Sequence, residues 1–205
     1  MNRITSHVEG CINTLVKRFK SLAINFVVEA DIQAELFRLL RRGPICKKVV
    51  LYNNRRCEIC LVHTEWPRVK VNKSRRLQKA GSYDLVIWER ASVPNPDRYW
   101  GIEPLRRAKD MKLHVVLEIK HRRNSLKPPA NWCKQDIEKL GEALKAGKTK
   151  YGYYLVFIDE DIESDKRKTK YEEIARWLRR QAKKYEPNLK VACVARSGVE
   201  DHWIN

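Results

Sequence analysis

The spacing of apolar residues along the chain predicts four amphipathic helices. Apolar side chains recur every three or four residues in four segments, 8–19, 29–42, 131–145 and 171–185. This spacing places them on one face of a helix. Gly43-Pro44 follows the second segment, as expected just past a helix C-terminus. We expect residues 1–22 to form an N-terminal helical extension that packs on the core.

Shorter apolar runs predict six β-strands, at residues 49–52, 56–66, 84–88, 113–120, 151–158 and 189–195. Only three residues separate the first two runs, so we expect a hairpin or one long bent strand that gives the sheet an antiparallel start. The run 151–158 is apolar without alternation, which indicates burial on both faces and a central place in the sheet. Residues 91–112 are rich in proline and irregular, and predict an insertion.

The order of these elements predicts the fold class. Strands alternate with helices after an initial helix and hairpin, which favours an α/β fold with a central mixed β-sheet flanked by helices on both faces. A length of 205 residues suffices for one domain with a substantial core. We therefore predict a single domain, 1–205, whose core spans 29–195.

The charge of the chain indicates the kind of partner. Lys and Arg number 43 against 25 Asp and Glu, which gives a net charge of +18. Such a protein attracts polyanions, so nucleic acid is the first expectation and an anionic membrane the second. A hydrophobic fraction of 43% excludes an intrinsically disordered protein.

The sequence also predicts where the protein resides. The N-terminal segment has no apolar core of a signal peptide, and no apolar run reaches the length of a membrane span. The six cysteines are scattered, which fits reduced thiols better than a disulfide framework. We expect a soluble, intracellular, cytoplasmic protein that has no membrane partner.

Charged residues stand at the ends of two predicted strands. Asp84 opens one apolar run, and Glu118-Ile119-Lys120 closes the next. Because side chains alternate along a strand, Glu118 and Lys120 point to the same face. If the two strands pair, Asp84 joins them. Two carboxylates suit Mg²⁺ or Mn²⁺, and a lysine suits a phosphate or an attacking water.

This pattern resembles the PD-(D/E)xK nuclease superfamily, which has the restriction-endonuclease-like fold. The acidic residue is Asp84 and the Glu-x-Lys tripeptide spans Glu118 to Lys120, while Tyr83 stands where the family usually has proline. The resemblance covers 29–195, but its specific content is confined to a few positions. Within the superfamily the chain looks most like stand-alone nucleases and junction resolvases.

The resemblance implies a metal-dependent deoxyribonuclease, most simply an endonuclease. Asp84, Glu118 and the carbonyl of Ile119 would hold Mg²⁺ or Mn²⁺. Lys120 would orient or activate the attacking water, and the sequence leaves both roles open. DNA is the expected partner, and a homodimer is one allowed assembly.

The first core helix of the family carries a carboxylate that leans towards the metal. At 100° per residue, Glu29 lies about 35° from the centre of the apolar face and Glu35 about 85° away. Glu29 is therefore expected to face the sheet and serve the site, while Glu35 resembles a surface residue. The resemblance also places accessory polar residues on the third helix, where this chain has Gln135, Asp136 and Lys139.

Two basic segments are candidates for nucleic-acid binding. Residues 67–80 contain no acidic residue and are expected to form a basic loop that clamps phosphates beside the metal. A second basic segment follows Lys120. The candidate residues are Arg68, Lys70, Lys73, Arg75, Arg76, Lys79, Arg122 and Arg123.

Two other interpretations account for parts of the sequence. A non-catalytic nucleic-acid-binding protein explains the charge equally well, but not the placement of acids beside a lysine at strand ends. A zinc module is suggested by the spacing of Cys57 and Cys60, with Cys46 and His63 nearby. Cysteines three apart on a strand face opposite sides, which argues against that module.

Overall fold

The computed structural model describes residues 3–21, 25–52, 55–71, 77–93, 108–123, 131–197 and 202–204. Its long helices are α1 (Arg3–Ser21), α2 (Glu29–Arg41), α3 (Asn131–Lys145) and α4 (Asp165–Ala182). The strands are β1 (Lys47–Tyr52), β2 (Arg55–Cys60), β3 (Val62–Val71), β4 (Leu77–Trp88), β5 (Leu113–Arg123), β6 (Thr149–Asp161), β7 (Leu189–Ser197) and β8 (His202–Ile204). All four predicted helices and all six predicted strand segments are present.

The main sheet has six strands in the order β3-β4-β5-β6-β7-β8. β3, β4 and β5 pair antiparallel, β5, β6 and β7 pair parallel, and the short β8 adds an antiparallel edge. The mixed sheet of an α/β protein is therefore confirmed. The central position predicted for the apolar run in β6 is also confirmed, because Tyr153 to Ile158 are all buried.

Helices cover both faces of this sheet. Phe19 of α1 packs on His121 and Phe157, whose side chains share one face, while Lys139 of α3 reaches Glu118 on the other face. α1 packs against α2, and α3 packs against α4. The N-terminal helix thus belongs to the core layer on one side of the sheet. None of the described helices is long and apolar enough to cross a membrane.

The predicted strand 56–66 is two strands that belong to different sheets. β1 and β2 form the predicted hairpin, but it is a separate two-stranded sheet, so its expected place at the start of the main sheet is wrong. The break falls at the buried Leu61. Its N–H donates to the carbonyl of Cys46 at 2.8 Å, and its carbonyl accepts from Trp88 at 2.9 Å. Leu61 is therefore the point where the chain passes from one sheet to the other.

The predicted basic loop 67–80 is mostly strand. β3 continues to Val71 and β4 begins at Leu77, and the two pair antiparallel with an irregularity between Pro67 and Val69. Alternating basic and apolar residues obscured this hairpin in the sequence. Residues 94–107, most of the predicted insertion, lie outside the described residues.

Candidate active site

The pairing of β4 with β5 brings the two predicted metal ligands together. Leu85 faces Leu117 and Val86 faces Val116, so the same antiparallel register continued by one residue faces Asp84 with Glu118. Asp84 Oδ2 accepts a hydrogen bond of 2.6 Å from the N–H of Ile119. The predicted juxtaposition is thus present.

Glu118 is the most deeply buried acid of this cluster, with 1% of its surface exposed. Its Oε2 lies 2.5 Å from Lys139 Nζ, whereas Oε1 is buried with no hydrogen-bond partner among the described residues. Burial raises the pKa of Glu118 to about 8, with a further upward contribution from Asp84 that Lys139 only partly offsets. The ionised form of this carboxyl group is therefore unfavourable unless a further positive charge lies close to it.

Asp84 is also shielded from water. Burial raises its pKa above the ordinary value, and the negative charge of Glu29 adds to this, although the hydrogen bond from Ile119 and the charge of Lys120 act in the opposite direction. Asp84 and Glu118 thus share one poorly solvated space and repel each other there.

Lys120 lies between carboxylates from two different helices. Its Nζ is 3.3 Å from Glu29 Oε1 and 3.6 Å from Asp136 Oδ2. Burial acts to lower its pKa, but the charges of Asp136, Glu29 and Asp84 outweigh burial, so the pKa lies above the ordinary value. The side chain is therefore an ammonium ion at neutral pH.

Glu29 faces the sheet, as its angular position on the helix predicts. It is the first residue of α2, and its Oε2 accepts from the N–H of His121 at 3.3 Å while Oε1 contacts Lys120. The helix thereby places one more carboxylate beside the end of β5.

The interpretation of Glu35 as a surface residue is wrong. Its side chain is only 17% exposed and forms ion pairs with Arg18 of α1 and, at 2.6 Å, with Arg38. The hydrogen bond from Arg38 lowers the pKa of Glu35, helped by Arg18 and opposed by burial. Glu35 therefore connects α1 to α2 and does not contact the cluster around Asp84.

α3 contributes two charged residues to the site. Lys139 Nζ lies 3.5 Å from Asp136 Oδ1 and donates to the carbonyl of Ser82 at 3.2 Å. The three-residue spacing of Asp136 and Lys139 puts them on one side of the helix, which was the signal in the sequence. Gln135, the third accessory candidate, is exposed.

Glu65 is a further acidic residue beside this cluster, and the sequence does not predict its place there. Thr64 pairs with Leu85 and Trp66 with Tyr83, so Glu65 on β3 falls opposite Asp84. The backbone of Glu65 has a φ of 49°, in the left-handed region that non-glycine residues rarely adopt. No local sequence pattern marks that conformation.

Polar contacts tie Glu65 to Asp84. Ser82 Oγ donates to Glu65 Oε2 at 2.7 Å, and Gln33 Nε2 donates to Glu65 Oε1 at 3.2 Å. Gln33 also donates to the carbonyl oxygen of Asp84 at 2.6 Å. α2 thus holds the backbone of the strand from which the Asp84 side chain projects.

The structure describes only some of the predicted nucleic-acid contacts. Arg68 is on β3, 3.4 Å from Glu142 of α3 and over the ring of Tyr83. Arg122 is 9% exposed, so little of it is accessible to a phosphate. Lys70, Lys79 and Arg123 lie on strands, but their side chains are outside the description, as are the whole residues Lys73, Arg75 and Arg76.

The described ranges contain no group of three or more His, Cys, Asp or Glu side chains placed to hold a metal ion. The zinc alternative needed such a group from Cys46, Cys57, Cys60 and His63. His63 instead stacks on Trp88, with ring centroids 3.7 Å apart. The ligand set expected from the resemblance is smaller, because it combines two carboxylates with one backbone carbonyl.

Comparisons with known proteins do not identify a family for this chain. No family model matches the chain, and neither a curated protein nor a solved structure matches it.

Proposed function

We propose that this protein is a divalent-metal-dependent nuclease, an endonuclease that hydrolyses DNA phosphodiester bonds within a restriction-endonuclease-like core. The observation that carries the proposal is the facing of Asp84 and Glu118 on adjacent strands with Lys120 two residues further along β5. A carboxylate pair can hold a divalent cation, and a neighbouring ammonium can stabilise the charge that develops on a phosphate.

The residues present fit a divalent cation. Glu118 Oε1 is a buried oxygen without a described hydrogen-bond partner, and the Asp84 carboxylate lies beside it. Oxygen ligands of this kind suit Mg²⁺ and Mn²⁺. Asp84, Glu118 and the carbonyl of Ile119 would hold the ion, which would neutralise charge on the phosphate and make a bound water more acidic.

Lys120 has a role that its environment supports. Because neighbouring carboxylates raise its pKa, it does not accept a proton at neutral pH and is a poor general base. Its ammonium group would instead donate hydrogen bonds to the attacking water and stabilise negative charge as it develops on the phosphate. Glu29 and Asp136 would keep this ammonium in place.

The charge of the molecule supports nucleic acid as the substrate. A net charge of +18 attracts the phosphate backbone, and Arg68 projects from the β3–β4 hairpin next to Tyr83, the neighbour of Asp84. The other basic residues of 67–80 and Arg123 remain candidates for phosphate contact.

One observation favours a second candidate, a nucleic-acid-binding protein without catalysis. Lys139 Nζ already lies 2.5 Å from Glu118 Oε2, and the N–H of Ile119 already donates a hydrogen bond to Asp84 Oδ2. In that case the acids would join α3 and β4 to β5 and would need no metal. The two candidates differ in whether Mg²⁺ or Mn²⁺ makes the protein cut.

The experiment is a cleavage panel on linear, supercoiled, branched and single-stranded DNA and on RNA, with Mg²⁺, Mn²⁺ or a chelator. We expect cleavage of at least one DNA form that depends on the metal and stops in the chelator. Binding of DNA without cleavage of any substrate under all conditions would favour the second candidate.

A further inference from the structure

The C-terminal part of α4 and the turn after it carry a dense group of basic side chains that the proposed active site does not use. Residues 174–185 contain five basic residues and no acidic residue. All five are exposed, and so is Lys145 near the end of α3. We name these six residues the α4 basic surface: Arg176, Arg179, Arg180, Lys183, Lys184 and Lys145.

Little of this charge is neutralised within the protein. Arg179, Arg180 and Lys183 form no ion pair or side-chain hydrogen bond with any residue that the structure describes. Arg176 donates to a backbone carbonyl, and Lys184 has only a distant ion pair of 3.8 Å with Glu138. Like charges one helical turn apart repel each other, so an anion from outside would relieve an unfavourable arrangement.

Tyr185 joins the two helices that carry the surface. The ammonium groups of Lys145 and Lys184 each lie 5.0 Å from the centroid of its ring. The ring rests against Gly141 of α3, where an added Cβ would collide with it. Lys145 of α3 and Lys184 of the turn after α4 therefore lie against the same ring.

The surface lies on the same face of the sheet as the candidate site. Lys139, which contacts Glu118, is six residues before Lys145, which corresponds to about 9 Å along α3. Arg68 reaches Glu142, between these two lysines, from the other side of α3. A nucleic acid that occupies the site and crosses α3 would therefore meet α4.

We propose that the α4 basic surface binds the phosphate backbone of double-stranded nucleic acid flanking the candidate site. Arg176, Arg180 and Lys183 follow one side of the helix, with a rise of about 6 Å per four residues, so they can contact successive phosphates. This inference rests on the nucleic-acid partner of the proposed function but not on cleavage.

The same residues do not suit a membrane surface. A helix that lies on a bilayer inserts large apolar side chains beside its basic ones. The exposed large apolar residues of the described structure are Val27, Val28 and Val49, and none is on α4. We therefore commit to nucleic acid and make the membrane an outcome of the test.

The test measures binding of a 30-base-pair fluorescent duplex over a series of salt concentrations, in a chelator so that no cleavage occurs. The Arg176→Gln/Arg180→Gln double variant should reduce the slope of log K against log salt by about 1.8, because about 0.9 is lost per phosphate contact. Affinity at 0.1 M salt should fall at least about tenfold. Circular dichroism checks folding, and Lys183→Gln/Lys184→Gln replaces the pair if the first variant does not fold.

The matched control is Arg41→Gln/Arg42→Gln, which removes the same charge from two exposed arginines at the end of α2, on the opposite face. Its slope should stay close to that of the unmodified protein. An equal reduction of the slope in both variants would show that only net charge matters, and it would overturn the proposal. An unchanged slope in the α4 variant would also overturn it. Loss of binding to phosphatidylserine vesicles with intact duplex binding would assign the surface to membranes instead.

Discussion

Glu118 determines much of the chemistry at the candidate site, because it is an acid in a place that water does not reach. One oxygen is held by Lys139 and the other has no described partner. Burial together with Asp84 makes the ionised form unfavourable. The folded protein therefore binds a proton at Glu118 over a pH range in which the unfolded chain does not.

This difference predicts how stability depends on pH in a chelator. The folded pKa of about 8 lies above the ordinary pKa of a glutamate, so between these two values the folded state binds more protons than the unfolded state, and stability falls as pH rises. The contribution has a limit of about 1.4 kcal/mol per pH unit. Denaturant unfolding from pH 5 to pH 8 should show a decline in the free energy of unfolding that Glu118→Gln reduces. Parallel pH profiles for the two proteins would contradict the assigned environment.

The two glutamates of α2 should have different effects when each is changed to glutamine. Glu29→Gln removes a negative charge next to Lys120 and near Asp84, so the Mg²⁺ concentration for half-maximal cleavage should rise at least about threefold. Glu35→Gln weakens the contacts with Arg18 and Arg38, so it should lower stability by about 1 kcal/mol and leave the Mg²⁺ requirement unchanged. Metal titrations and thermal unfolding of both variants check this, and the reverse pattern would refute the assignment of Glu29.

For individual residues, the sequence predicts the side-chain directions that the periodicity of strands and helices determines. Alternation along β5 places Glu118 with Lys120, and the helical angle turns Glu29 to the sheet. The sequence does not predict the contact between Lys139 and Glu118, because that contact depends on how α3 lies on the sheet. The positive φ of Glu65 was equally invisible, since nothing in the neighbouring residues requires it.

Among the elements, α3 connects the candidate site to β3 and to the turn after α4. It brings Lys139 to β5, Glu142 to Arg68 and Gly141 to the ring of Tyr185. The absence of a side chain at Gly141 lets α4 and the turn after it approach α3. A helix–helix contact of this kind should be sensitive to a single methyl group.

Gly141→Ala should therefore destabilise the protein by about 1–3 kcal/mol, because the new Cβ would overlap the Tyr185 ring. The control is Gly10→Ala in α1, where an added Cβ meets nothing within 4 Å. That change should stabilise by up to about 1 kcal/mol through helix propensity. Chemical denaturation of both variants measures the difference, and equal effects would show that Tyr185 does not pack as described.

The sequence predicts an element best where a single pattern of apolar residues continues along its whole length. The apolar run of β6 and the stripes of the four helices gave the right type and approximate position. The segment 56–66 failed because Leu61 divides it, and a change of sheet leaves no mark in a continuous apolar and polar pattern. The pairing of β3 with β4 is not predicted, because the alternation of basic and apolar residues along 67–80 is also typical of a solvated loop.

In the whole molecule, the candidate site and two groups of basic residues lie on the same face of the main sheet. The carboxylates gather at β4 and β5, with Arg68 and the α4 basic surface on the same face of the sheet. Attraction of a polyanion to that face would bring its phosphates towards the buried Glu118 and the partly buried Asp84. This arrangement connects the charge of the protein to its proposed chemistry.

The most direct measurement of the central claim is cleavage of supercoiled plasmid in Mg²⁺ by three proteins: the unmodified chain, Lys120→Ala and the control Lys134→Ala. Lys134 is an exposed lysine of α3 with only a distant ion pair of 3.9 Å to Glu138. We predict that the unmodified protein and Lys134→Ala cut the plasmid, that Lys120→Ala is slower by at least about 10²-fold, and that all three bind DNA alike in a chelator. Equal cleavage by Lys120→Ala and the unmodified protein would contradict the account.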